Sequence, residues 1–252
     1  SVTVSSSQHT DLLRPFIREL DINVDHDLAV MTPGQTPNAV LAKVLTALEP
    51  LFLAEKPDLV LVQGDTTTAI AGALAAFYAR IPVAHVEAGL RSYDRTMPEE
   101  INRILTDHLS SLLFAPTKEQ AQILINEGIE ENKIKIVGNT IVDAVLQNLK
   151  LVENLSNYQK YLQKSYFLVT AHRPSNVDNK DNFSKLIQAV IKLVDKYQIK
   201  AIFSIHPRTR KNLEKFNLII NNPLIELIEP VGYLEMLVLM QNAKLILTDS
   251  GG

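Results

Sequence analysis

The chain has no cysteine, so disulfides and thiolate metal sites are excluded and a reducing cytoplasm is permitted. It has no strong charge of one sign either: the formal charge is -3 at pH 7. No segment carries a dense basic run, so nucleic acid is not an expected partner. Long apolar runs are missing too. The longest, residues 69–78, lies between Thr68 and Arg80 and is too short to cross a bilayer, so no membrane partner is expected. There is no Gly-x-Gly-x-x-Gly and no P-loop, which argues against dinucleotide cofactors and ATPase chemistry. No metal-ligand spacing accompanies the histidines and carboxylates, so no metal is expected. The first residues, Ser1-Val-Thr-Val4, lack a start methionine, a basic segment and an apolar signal core, and they read as the interior of a longer chain.

What is present is an ordinary globular composition, 46% hydrophobic and 21% charged over 252 residues, long enough for two domains with separate cores. Apolar runs of four to six residues alternate with segments of helical period. Runs at 59–62, 83–86, 112–115 and 134–137 precede helical patterns at 66–79, 98–112, 118–127 and 141–150. The second half repeats the scheme, with runs at 167–170, 201–205, 225–228 and 245–247. Helical patterns there cover 179–197, 208–216 and 232–243. Strands this apolar are expected to be buried on both faces, as in parallel sheets covered by helices. The fold class is therefore α/β with two doubly wound, Rossmann-like sheets. The polar stretch 150–164 has no strand pattern and sets the boundary near residue 147, giving domains 1–147 and 148–252. One continuous sheet is the alternative.

Open α/β sheets bind ligands beyond the carboxyl ends of their strands, and that rule selects a few polar residues. Asp65 in Gly64-Asp-Thr-Thr-Thr68 follows a strand, where it or Thr66 could equally cap the next helix. Glu87 directly follows the strand at 83–86, with an ion pair to Arg91 as its structural alternative. Glu99 follows Pro98 and could simply complement the helix dipole. His172-Arg173 follows another strand and suits a phosphate, with His206 a weaker case of the same kind. The chain closes on Thr248-Asp-Ser-Gly-Gly252 after an apolar strand. A helix should follow such a loop, and strand, small-residue turn and helix N-terminus together cradle anions. Carboxylates that share a partly dry site have their pKa values pushed apart into an acid and a base. The residues alone thus reach a two-domain binder of a phosphorylated ligand with acid/base groups, and no particular reaction.

An ordered set of motifs goes further. Pro33-Gly-Gln35, Lys56-Pro-Asp58, Gly64-Asp-Thr-Thr-Thr68, His85-Val-Glu-Ala-Gly-Leu-Arg91 and Pro98-Glu-Glu-Ile-Asn-Arg103 stand in order. Gly138-Asn-Thr140, Val142-Asp143, Thr170-Ala-His-Arg173, His206-Pro207 and Leu247-Thr-Asp-Ser-Gly-Gly252 follow. Together they resemble the non-hydrolysing UDP-N-acetylglucosamine 2-epimerases from about Ser7 to the last residue. The resemblance implies the GT-B architecture, with an active site between two Rossmann-like domains, and a homodimer. It implies interconversion of UDP-N-acetylglucosamine and UDP-N-acetylmannosamine by elimination of UDP to 2-acetamidoglucal and re-addition, with no cofactor, supplying precursors for cell-surface polysaccharide. Asp65, Glu87 and Glu99 match the family's catalytic carboxylates and His172 its phosphate-proximal histidine. Ser250, Gly251 and Gly252 match the diphosphate loop.

Departures accompany the match. The family opens with a strand and Gly-Thr-Arg-Pro-Glu, and it continues beyond Ser-Gly-Gly into a helix; this chain begins after the first and ends before the second. Met236 falls where many members place an aromatic near the uracil. Gln35, Arg173 and His206 match a second, activating nucleotide-sugar site, although Thr32 stands where glutamine is common. A hydrolysing relative and a non-catalytic nucleotide-sugar binder are the alternative functions.

Overall fold

The computed structural model describes residues 1–7, 10–152 and 165–250. The chain divides into two compact units, Ser1–Asp143 and Ala144–Gly252, each α/β with parallel strand pairing.

The first unit carries a two-stranded parallel pair, β1 (Val4–Ser5) with β2 (His26–Asp27), and a four-stranded sheet. The sheet strands are β3 (Val60–Gln63), β4 (Val83–Val86), β5 (Leu112–Ala115) and β6 (Ile134–Ile136), in that order and all parallel. Helices α1 (Thr10–Glu19), α2 (Pro37–Glu55), α3 (Thr67–Tyr78), α4 (Pro98–Leu109) and α5 (Lys118–Asn126) connect them. Helix α3 shows how the sequence sets the packing. Thr66 caps it, its Oγ1 accepting from the Ala69 N–H at 3.2 Å, a contact of about 0.5–2 kcal/mol. Its buried residues are nearly all alanine (Ala69, Ala71, Ala73, Ala75, Ala76) with Gly72, so it lies close against the sheet. A Cβ on Gly72 would come within 3.1 Å of Val62 Cγ1. Helix α2 is long and apolar enough to span a bilayer by length and composition alone. It packs Val40, Val44 and Leu48 against Ala71 and Ala75 instead.

The division between the units falls within α6 (Thr140–Val152); of the polar stretch 150–164, residues 153–164 lie outside the described residues. The second unit holds β7 (Tyr166–Thr170), β8 (Ala201–Ser204), β9 (Ile225–Ile228) and β10 (Ala243–Thr248), ordered β10-β7-β8-β9 and all parallel. Its helices are α7 (Pro174–Val177), α8 (Lys180–Tyr197), α9 (Pro207–Lys215) and α10 (Tyr233–Asn242). Alternate residues of β7 serve opposite faces, as the strand period requires. Phe167 and Val169 join Phe183, Ile187, Val190 and Val194 of α8 and Leu213 of α9. Tyr166, also buried, donates from its hydroxyl to the Leu239 carbonyl of α10 at 2.8 Å.

The expectation of strands buried on both faces holds for the inner strands β4, β7 and β8, while the inner strand β5 alternates half-buried and buried residues. It fails for the edge strands β3, β9 and β10, which alternate or lie half open; Leu61 is 62% exposed. An apolar run identifies a strand in a parallel sheet but not its place in the strand order.

Candidate active site

In the first unit the site residues stand where strand order places them. β3 and β4 are neighbours with Gln63 opposite Val86, so the residues just beyond, Gly64-Asp65 and Glu87, emerge side by side. The Gly64 N–H donates to the Val86 carbonyl at 3.0 Å. Glu87 takes a left-handed backbone, φ +71°, which non-glycine residues adopt at a cost and which gathers at functional sites. Its carboxylate lies over Gly64: a Cβ there would be 3.8 Å from Glu87 Oε2. The structure thus brings Asp65 and Glu87 together. Thr66 takes the capping role, which leaves the Asp65 carboxylate free for other partners. Glu87 does not pair with Arg91, which instead holds Asp107 and Glu127.

Helix α4 supplies the next layer. Arg103 forms an ion pair with Asp65 through Nη2, and the Asn102 side-chain amide donates to the Asp65 carbonyl at 2.9 Å. Arg103 Nη1 reaches the Leu90 carbonyl at 3.3 Å and Glu100 Oε2 at 3.4 Å, while its Nε is buried with no hydrogen-bond partner among the described residues. Glu100, 2% exposed, accepts from the Ser92 N–H at 2.8 Å, the Ser92 hydroxyl at 3.0 Å and the Tyr93 N–H at 3.1 Å. Burial pushes its carboxyl pKa up. The Ser92 and Tyr93 donors and the Arg91 charge outweigh that and hold it below the usual value. Glu99, the neighbour matched as catalytic, stands exposed on the first turn of α4.

Beneath this layer lies a buried polar chain. His85, in the middle of β4 and fully buried, meets Asp107 Oδ1 through Nδ1 at 2.7 Å and the Gly64 carbonyl through Nε2 at 2.9 Å. Arg91 donates from Nη2 to Asp107 Oδ2 at 2.7 Å and to Glu127 Oε2 at 2.5 Å, and from Nε to Glu127 Oε1 at 2.9 Å. Burial works against the Arg91 charge, but its two carboxylate partners prevail and raise its pKa.

In the second unit the ends of β7 and β10 adjoin, Thr170 opposite Thr248, with their hydroxyls 2.9 Å apart. Asp249 is the hub. It accepts from the His172 N–H at 3.0 Å, the Arg173 N–H at 2.9 Å and the Asn176 amide at 3.1 Å, and its Oδ1 lies 3.3 Å from His172 Nδ1. Burial opposes its charge, but the Asn176, Arg173 and His172 donors leave its pKa lowered. The Ser250 N–H donates to Thr248 Oγ1 at 3.0 Å. His206 caps α9, its Nδ1 accepting from the Arg208 N–H at 3.2 Å; its ring centre is 6.1 Å from that of His172. His172, Arg173, His206 and Ser250 therefore lie beyond the carboxyl ends of the neighbouring strands β7, β8 and β10, with His172 and Arg173 exposed. Met236 sits half-buried on α10, and Gly251 and Gly252 lie outside the described residues. Gln35 lines a cavity of about 230 Å³ in the first unit with Met31, Thr32, Gly34 and Thr67. Its Oε1 accepts from the Thr32 N–H at 3.1 Å and hydroxyl at 3.2 Å. Among the described residues no cluster of histidines and carboxylates has metal-binding geometry.

The sequence is matched across residues 1–252 by the family model described as UDP-N-acetylglucosamine 2-epimerase. The chain belongs to that family. A UDP-N-acetylglucosamine 2-epimerase of Methanocaldococcus jannaschii is 56% identical over 260 residues, covering 99% of this chain and 70% of the relative. One of Methanococcus maripaludis is 55% identical over 218 residues, covering 83% of this chain and 60% of the relative. The chain thus spans roughly 60–70% of the length of these UDP-N-acetylglucosamine 2-epimerases. A crystal structure of the M. jannaschii UDP-GlcNAc 2-epimerase in complex with UDP-GlcNAc and UDP superposes with a TM-score of 0.83 at 50% identity. That match covers 98% of this chain and 70% of the other.

Proposed function

We propose that this chain carries the groups for non-hydrolysing C2 epimerisation of UDP-N-acetylglucosamine to UDP-N-acetylmannosamine. One carboxylate takes the C2 proton while the C1–O bond to UDP breaks, leaving 2-acetamidoglucal and UDP. A second group returns a proton to the opposite face of C2 as UDP re-adds at C1, so atoms and electrons balance without a redox step. The observation that carries this reading is the placing of Asp65 and Glu87 side by side beyond β3 and β4. Glu99 is the third carboxylate on the family match. Acid–base catalysis of this kind supplies about 10²–10⁴-fold; stabilising the departing diphosphate supplies much of the rest. That second task falls to His172, which the Asp249 hub holds, with Ser250, Gly251 and Gly252, and Met236 packs near the uracil.

Gln35, Arg173 and His206 are proposed, on the family match alone, to hold an activating second nucleotide sugar. A rate curve that stays hyperbolic and unchanged by added UDP-N-acetylglucosamine argues against that site. The enzyme is proposed to work as a cytoplasmic homodimer. Incubation with UDP-N-acetylmannosamine in deuterated water tests the reaction, since the epimer formed should carry deuterium at C2. Epimer without deuterium rules out proton abstraction at that carbon, and release of free N-acetylmannosamine identifies a hydrolysing enzyme.

A further inference from the structure

The buried chain beneath the carboxylates contains a hydrogen-counting constraint. His85 Nε2 faces the Gly64 carbonyl at 2.9 Å, and a carbonyl oxygen only accepts, so Nε2 must carry hydrogen. Nδ1 faces Asp107 Oδ1 at 2.7 Å, and one hydrogen must lie between those two atoms. If it sat on the carboxyl, Asp107 would be neutral. Its other oxygen accepts from the Arg91 guanidinium at 2.7 Å and from the Gly89 N–H at 3.3 Å. Inside a site closed to water, a guanidinium at that distance strongly stabilises negative charge on its partner. The hydrogen therefore belongs to Nδ1. Two cations, His85 and Arg91, then alternate with two anions, Asp107 and Glu127, and every donor in the row has an acceptor.

We propose that His85 is an imidazolium, with hydrogen on both ring nitrogens, that clamps the Gly64 carbonyl and so positions Asp65. Gly64 has φ +72°, a conformation with few restraints of its own, and its carbonyl is the peptide oxygen immediately before Asp65. With His85 on that oxygen, Asn102 on the Asp65 carbonyl and Arg103 on the Asp65 carboxylate, the residue is fixed along backbone and side chain alike. His85 never touches substrate; it works through Gly64. The charged groups around this row are Asp107, Arg91 and Glu127 within it, with Glu100 interacting with Arg91 and Asp65, Glu87 and Arg103 around Gly64. The effect on turnover rests on the proposed epimerase function, whereas the protonation state does not.

The test has two readouts. In ¹⁵N-histidine-labelled protein at neutral pH, the signal lost in His85→Gln should show a proton on each ring nitrogen, slow to exchange because the ring is fully buried. One unprotonated ring nitrogen overturns the imidazolium. In His85→Gln the backbone amides of residues 64–68 should shift while those of β7 and β8 stay in place, and kcat should fall roughly 10- to 100-fold with KM within about twofold. Unchanged amides at 64–68, or an unchanged kcat, overturn the positioning role. Should His85→Gln fail to fold, Asp107→Asn decides. Its amide would donate to Nδ1, so His85 should keep hydrogen on Nε2 alone, and retention of both hydrogens overturns the account. If the natural chain turns over no nucleotide sugar, the epimerase reading fails, and the NMR arms still judge the imidazolium.

Discussion

Replacing Gly89 with alanine probes how firmly the loop between Glu87 and Arg91 is held. Gly89 has φ +82°, and a left-handed backbone costs an L-residue roughly 1–2 kcal/mol. A Cβ there would lie 2.6 Å from the Gln120 carbonyl oxygen and 3.0 Å from Leu124 Cγ. The oxygen belongs to helix backbone and Leu124 is fully buried, so neither yields by rotating a side chain. Relieving such overpacking costs about 1–3 kcal/mol more, for a total near 2–5 kcal/mol. That is a large share of the roughly 5–15 kcal/mol that holds a typical folded protein. Gly128→Ala is the matched control, because Gly128 has φ +91° but nothing within 4 Å of its Cβ position. It should lose only the backbone part. Hydrogen exchange of amides 113–124, followed by mass spectrometry across a urea series, reads the loss in the unit that contains both glycines. Equal losses for the two variants would falsify the close-approach argument.

Three other perturbations bear on the site. Arg103→Lys keeps the charge but loses the fork that reaches Asp65, Glu100 and Leu90 at once; turnover should fall about tenfold with an unchanged urea midpoint, and wild-type turnover would refute that role. Asp249→Asn puts an amide where three donors converge. Charge-assisted bonds of this kind are worth about 1.5–3 kcal/mol, so calorimetry should show UDP affinity reduced at least tenfold, and equal affinity would count against the hub. Glu100 has a lowered pKa in the folded state, so its stabilisation is fully present above the unfolded value near 4.5 and is lost as pH falls through the folded value. The difference in urea midpoint between wild type and Glu100→Gln should therefore be constant from pH 7 to about 5 and shrink below it; a difference that persists at pH 3 would contradict the assignment.

Strand positions were legible because each inner strand is a mainly apolar run between polar segments, as with Val83-Ala-His-Val86, and the strand-end rule then singled out Asp65, Glu87 and His172. The strand pair β1 and β2 was not, since two residues each leave no period to read. Nor was the layer that holds the carboxylates, because Arg103, Asp107 and Asp249 lie far in sequence from the residues they bind. Yet α4 did carry a signal. Glu100, Arg103 and Asp107 recur at i, i+3 and i+7, one helical face, where a helix lying on a sheet usually presents apolar side chains. Spacing alone leaves open whether that stripe faces water or the sheet. His85 decides it: an imidazole in the centre of a buried strand must find polar partners inside the protein, and the neighbouring helix has to supply them. A lone histidine in an apolar strand, followed by a helix with a charged stripe, is thus sequence-level grounds for expecting a buried ionic row. Here that row runs directly under the residues proposed to do the chemistry.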